Sequence, residues 1–235
     1  MINIDQFSVR YPSDLIVVLD IDETLAHTHT DMKSFQTLDI YSDPKKLSQR
    51  ERVYVLNILT DRNNGSITSM WGIKRPNLDE FLNFCFSYFK LVIVWSAGTY
   101  EYVHSIVPEL FRNTYEPHFI LTRNNCVENR GKYEKPFWKL LKDIPELEEY
   151  INFDTDEKGN LRGFKNVLII DDRLNSFQTD PYNGILIPEY EPSPDIEGIN
   201  LDDDKLLKVE KYFQSIGNGT SIDVRKIDKS KIFNN

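Results

Sequence analysis

The sequence predicts an α/β protein with an open, mostly parallel sheet, helices on both faces, and a small β-hairpin inserted after the first strand. Three observations carry this expectation. Short apolar runs rich in β-branched residues recur along the chain: "DLIVVLD" (14–20), "LVIVWS" (91–96), "NVLIID" (166–171) and the shorter "GILIP" (184–188). Continuous runs of this kind mark strands buried on both faces of a parallel sheet. Segments with helical periodicity separate them, and alternation of strand with helix implies right-handed crossovers in an open sheet. Finally, three of the runs end in polar residues, Asp20, Ser96 and Asp171.

The elements follow in order. After the first strand the alternation breaks. "RVYVLNILT" and "SITSMWGIKR" flank the turn "DRNNG" (61–65), the pattern of a β-hairpin, so residues from about 29 to 74 read as an insertion. Tyr54, Leu56 and Ile58 are its candidate exposed apolar residues. "NLDEFLNFCFSYF" (77–89) is the next helix, and its dense aromatics at helical spacing suit core packing. "TYEYVHSIVPELF" (99–111) and "PFWKLLKDI" (136–144) are two more helices. A second, polar insertion spans about 145–164. Its "DTDEKG" starts like a calcium loop, but Lys158 holds a ligand position and Lys165 stands where a closing Glu is needed, so a solvated hairpin is expected. "DDKLLKVEKYFQSI" (203–216) suits an amphipathic closing helix. The expected organisation is one domain over residues 1–216, followed by a partly mobile tail at 217–235.

Bulk properties narrow the function. A net charge of −9 over 235 residues counts against a basic nucleic-acid surface. The only cysteines, Cys85 and Cys126, sit in apolar or mixed segments and imply no disulfide framework. No basic leader precedes a long apolar stretch, and "LIVVL" is too short to span a bilayer. A cytoplasmic or nuclear protein without a membrane partner is expected.

The strand ends carry the chemistry. In open α/β sheets, ligands bind beyond the carboxyl ends of the strands. Asp20 with Asp22, Ser96, and Asp171 with Asp172 would then converge at one edge. Four carboxylates so placed repel one another unless a hard divalent cation lies among them, and an all-oxygen donor set suits magnesium. Alternation along a strand also puts Asp20 and Asp22 on the same side.

These motifs, in this order, resemble the haloacid dehalogenase superfamily. "DIDET" (20–24) matches its DxDx[TV] signature, Ser96 its second motif, a lysine near 135 its third, and "DD" (171–172) its fourth. "GIKRPNLDEFL" (72–82) and "RNNCVENRGKYEKPF" (123–137) further resemble the small phosphatases acting on the C-terminal domain of RNA polymerase II. One departure is Asp171-Asp172, where that branch usually carries Asp-Asn.

The resemblance implies a Mg2+-dependent phosphatase acting on a phosphorylated protein or peptide. Asp20 would be the nucleophile and Asp22 the general acid and base. Ser96 and Lys135 would hold the phosphoryl group, with Lys132 as the competing lysine. Asp20, Asp22 (through its main-chain oxygen), Asp171 and Asp172 would bind the metal. Thr24, Ala97, Arg123 and Arg130 are the candidate substrate contacts, and Thr24 is also expected to fix its own turn by a local hydrogen bond. Two rivals stand beside this reading: a nucleic-acid 3′-phosphatase, and a phosphate-binding module on the same fold without turnover. His27, His29 and Asp31 read as surface or turn residues, and Arg75 as a structural partner of Asp79 or Glu80.

Overall fold

The computed structural model describes residues 13–61, 65–159, 161–217 and 221–233. Strand β1 (Ile16–Leu19) leads into β2 (Ala26–His29), which opens the insert. The insert continues through α1 (Met32–Thr37), α2 (Leu47–Arg52) and the paired strands β3 (Val53–Asp61) and β4 (Ser66–Lys74). The chain then returns to the core by α3 (Leu78–Tyr88), β5 (Leu91–Trp95), α4 (Tyr100–Leu110) and β6 (Phe119–Leu121). A small hairpin, β7 (Val127–Asn129) with β8 (Lys132–Glu134), precedes α5 (Phe137–Asp143). A second pair, β9 (Phe153–Thr155) with β10 (Leu161–Phe164), precedes β11 (Val167–Asp171). The last elements are β12 (Gly184–Leu186), α6 (Ile196–Ile199) and α7 (Lys205–Ile216).

The core sheet runs β12-β11-β1-β5-β6 with every neighbour parallel. Leu19 on the central strand lies level with Ile170 on one side and Val94 on the other. Asp20, Asp171 and the Trp95–Ser96 step therefore reach the same edge together, although they are widely separated in sequence. Alternate residues of each strand face opposite layers. Val17, Leu19, Val92, Val94, Leu168 and Ile170 pack under α3, α4 and α7. Ile16, Val18, Leu91, Ile93, Val167 and Ile169 pack against Phe137 and Leu140 of α5. The α3 aromatics behave as expected, with Phe81, Phe86, Tyr88 and Phe89 buried in the first of these layers.

Several expectations change. β6 was not foreseen: three residues, two of them half-buried, carry too little periodicity to read as a strand. The insert is a three-stranded sheet, β2-β4-β3, and not only a hairpin; residues 62–64 of its expected turn lie outside the described residues. Tyr54, Leu56 and Ile58, expected to be exposed, are only 2–4% exposed and belong to the core cluster that includes α4. They share one face of β3, and that face is covered. The polar segment forms β9 and β10, with residue 160 outside the described residues. The region after Gly217 does not hang free where it is described. Val224 and Ile232 are buried in the main core, and the Val224 amide donates to the Lys165 carbonyl at 2.7 Å.

Arg75 does not pair with α3. Its guanidinium grips Asp203 at 2.9 and 3.1 Å, and also donates to the carbonyls of Thr24 (3.1 Å) and Pro188 (2.8 Å). Asp79 instead accepts from Asn113, and Glu80 is exposed. His27 and His29 lie half-buried on β2, the former 3.0 Å from Glu23 and the latter against Trp71. Among the described residues no helix is long and apolar enough to cross a membrane.

Candidate active site

Where β1 ends, the chain folds into a tight loop. The Ile21 carbonyl accepts from the amides of Thr24, Leu25 and Ala26, and Glu23 takes a left-handed conformation at φ 58°. This loop sets Asp20 and Asp22 at the sheet edge. Lys135 arrives from the opposite side, between β8 and α5. Its amide donates to the Ser176 carbonyl at 2.6 Å, and Pro136 starts the helix from an extended conformation. The Lys135 ammonium donates to both Asp20 and Asp171, the latter at 2.7 Å, and its side chain is 2% exposed. Lys132, by contrast, is exposed on β8 at the mouth. The geometry therefore puts Lys135, and not Lys132, against the acids.

Asp20, Asp171 and Asp172 each offer one oxygen, and these atoms all lie within 4.8 Å of one another. Burial, with repulsion from Asp171 and Asp22, pushes the Asp20 pKa well above the carboxylate range, and Lys135 offsets this only in part. Burial and the Asp171 charge push Asp172 up to about 6. Burial also opposes a charged Lys135, but Asp171 and Asp20 outweigh it and hold the ammonium protonated. Lys135, with Arg173 beside Asp172, thus offsets the raised pKa values of Asp20 and Asp172 only in part, and a hard divalent ion among the three oxygen donors would favour the ionised forms of those two. The donor set fits magnesium.

Asp22 is held differently, and its carboxylate is not among those three. One oxygen accepts from the Tyr102 hydroxyl and the other from Ser96 Oγ at 3.2 Å. Burial raises its pKa. Thr24 is fully buried and does not make the local bond expected of it. Its hydroxyl donates to the Asp172 carboxylate at 3.2 Å and lies 3.1 Å from the Asp172 amide, which stitches the loops after β1 and β11 together.

A cavity of about 940 Å3 opens above these groups. Asp20, Asp22, Lys135 and Asp171 line it, together with Ala97, Arg123, Lys132, Tyr133 and Arg173, with Thr28, Ile58 and Met70 from the insert and with Tyr102 from α4. Arg123 donates to the Ala97 carbonyl at 2.7 Å and lies 4.9 Å over the Tyr133 ring. Of the predicted residues, Thr24, Ser96, Arg130 and Asp172 do not line the cavity. Arg130 is exposed in the left-handed turn between β7 and β8, at φ 52°. Tyr102 and Arg173 were not foreseen. Arg173 pairs with Glu23 at 3.4 Å and Asp172 at 3.5 Å. Both could have been suspected, because one follows the acidic pair directly and the other lies in the first turn of the helix after Ser96.

An open parallel sheet with this acid–lysine cluster at its carboxyl edge defines a phosphatase-type α/β core. The chain belongs to the NLI interacting factor-like phosphatase family, a branch of the haloacid dehalogenase superfamily, whose family model matches residues 15–225. It is 26% identical over 197 residues to a probable C-terminal domain small phosphatase of Dictyostelium discoideum, covering 83% of this chain and 51% of that one. It is also 25% identical over 204 residues to the putative CTD phosphatase-like protein 355R of Invertebrate iridescent virus 3, covering 85% of this chain and 95% of the viral one. Among solved structures it resembles Fcp1, an essential RNA polymerase II CTD phosphatase, with a TM-score of 0.60 at 17% identity, covering 86% of this chain and 62% of that one. The chain thus spans about half the length of the slime-mould relative.

Proposed function

We propose that this chain is a Mg2+-dependent phosphatase that hydrolyses phosphomonoesters through an aspartyl-phosphate on Asp20. The observation that carries this reading is the division of labour among the acids. Asp20 shares the buried Lys135 with Asp171, whereas Asp22 stands apart with its own hydroxyl donors. Two neighbouring acids in different environments suit two different roles.

The Asp20 carboxylate attacks phosphorus and splits the displacement into two easier steps. Asp22 delivers a proton to the leaving oxygen, then takes one from the water that attacks the intermediate. The Lys135 ammonium meets phosphoryl oxygens and balances their charge, with Ser96 and the Ala97 backbone beside it. Asp20, Asp171 and Asp172 would hold the metal, together with the Asp22 main-chain oxygen. When bound, Mg2+ offsets repulsion between nucleophile and phosphate. Thr24 orients Asp172 and does not touch substrate. Arg123 contacts substrate at the wall, and Arg130 meets only parts of a substrate that extend past the mouth.

The substrate we infer is phosphoserine or phosphothreonine in a protein such as the C-terminal domain of RNA polymerase II. The names of the relatives and an open cavity support that class. The test is hydrolysis of p-nitrophenyl phosphate with and without magnesium, in the wild type and in Asp20→Asn. Magnesium-dependent turnover that the substitution abolishes is expected. A wild type that binds magnesium without turnover would replace this reading with the phosphate-binding module.

A further inference from the structure

The hydroxyl that holds Asp22 belongs to a line of three running out of the site into the insert sheet. Tyr102 on α4 donates to Asp22 Oδ1. Thr28 Oγ1 on β2 lies 2.8 Å from the Tyr102 hydroxyl and 2.8 Å from the Tyr54 hydroxyl on β3. The His27 carbonyl, at 3.3 Å, is the poorer neighbour of Tyr54. With Asp22 as the terminal acceptor, Tyr102 uses its single proton there and must receive its own hydrogen bond from Thr28, which in turn accepts from Tyr54. The line has one sense, and it ends on Asp22.

The backbone around it is shaped to admit this line. On β4, a Cβ built at Gly72 would stand 2.2 Å from the Tyr54 hydroxyl and 2.5 Å from the His27 carbonyl oxygen, so no side chain fits there while the Tyr54 hydroxyl keeps its place. Tyr102 and Thr28 both line the cavity, so the Tyr102 hydroxyl is not forced inward by burial alone. Ser96 Oγ reaches the other Asp22 oxygen at 3.2 Å. Donors from two different elements therefore fix the plane of the carboxyl group, and one of them is braced by the insert.

We propose that Tyr102 is the positioning residue of Asp22, braced through Thr28 and Tyr54, so that the insert sheet sets how the Asp22 carboxyl faces the leaving oxygen. This inference rests on the reading of Asp22 as proton donor. A misaligned donor costs most where the leaving group needs its proton. A serine alkoxide needs it, and p-nitrophenolate does not.

The experiment compares kcat/KM for a phosphoserine peptide and for p-nitrophenyl phosphate, because that quantity reports only the steps up to formation of the aspartyl-phosphate. Asp22→Asn supplies the reference and should lose far more on the peptide than on the aryl ester. Tyr102→Phe should lose about 10- to 100-fold on the peptide and at most about threefold on the aryl ester. Thr28→Val should shift the ratio in the same direction by less, and Thr28→Ser, which keeps the hydroxyl, should restore it. Thermal midpoints confirm that each variant folds. Equal loss on both substrates in Tyr102→Phe, beside a selective Asp22→Asn, would overturn the inference alone. An Asp22→Asn variant that treats both substrates alike would instead overturn the proton-donor reading, and this inference with it.

Discussion

Replacing Lys135 with methionine isolates the charge balance on which the site depends. Methionine keeps an unbranched stem of similar length and removes only the ammonium. That ammonium touches Asp20 and Asp171, whose side chains are 9% and 1% exposed, so little solvent screens the loss. Removing one partner of a buried pair typically costs about 3–5 kcal/mol, because an uncompensated charge is left behind. Proton uptake relieves part of this, since burial already raises Asp20 and Asp172, and a net loss of about 3 kcal/mol near neutral pH is expected without metal. To the extent that they stay ionised, the same acids carry more uncompensated negative charge than in the wild type, so the variant should bind Mg2+ more tightly, by up to about tenfold, or about 1.4 kcal/mol. The assay is thermal unfolding with and without MgCl2, paired with calorimetric titration of Mg2+. Magnesium should stabilise the variant more than the wild type while turnover falls by about 10^2-fold or more. Unchanged stability without metal, or weaker Mg2+ binding by the variant, would refute the reasoning.

Thr24→Val removes the hydroxyl shared by the Asp172 carboxylate and amide, and should cost about 1–3 kcal/mol in a denaturant melt and weaken calorimetric Mg2+ binding. Arg75→Met strips Asp203 of its buried partner and releases the carbonyls of Thr24 and Pro188, and a loss of about 3–5 kcal/mol is expected on thermal unfolding. Arg225, by hydrogen bonding, holds the Asp223 pKa at about 2, below its ordinary 3.8. A depressed folded pKa gives stability that is present above about 3.8 and lost as pH falls toward 2. Amide exchange at Val224 should therefore accelerate between pH 4 and pH 2, with a stability loss of about 2 kcal/mol, and Asp223→Asn should show no such step.

The core sheet was legible because each buried strand is an unbroken apolar run, and because parallel strands bring their carboxyl ends to one edge. That rule found Asp20, Asp22, Asp171 and Asp172 from sequence, and the resemblance placed Lys135. What failed to read depends on which surface covers which. Tyr54, Leu56 and Ile58 alternate along β3 and so share a face, and only the packing of α4 makes that face interior. Thr24 was misread because its partner lies 148 positions away, and Arg75 because Asp203 lies 128 away. Thr28 left no mark in the pattern, and Tyr102 only its position in the first turn of the helix after Ser96. Their place beside Asp22 follows from how α4 and β2 converge over the loop after β1.

The central claim is that Asp20 becomes covalently phosphorylated. The most direct test is rapid acid quench of the magnesium-loaded enzyme during turnover of a phosphorylated peptide, followed by mass spectrometry of the proteolytic fragments. The account predicts a phosphoryl group on the fragment containing Asp20, absent in Asp20→Asn and longer-lived in Asp22→Asn. Turnover with no label on that fragment, or label on another residue, would contradict it.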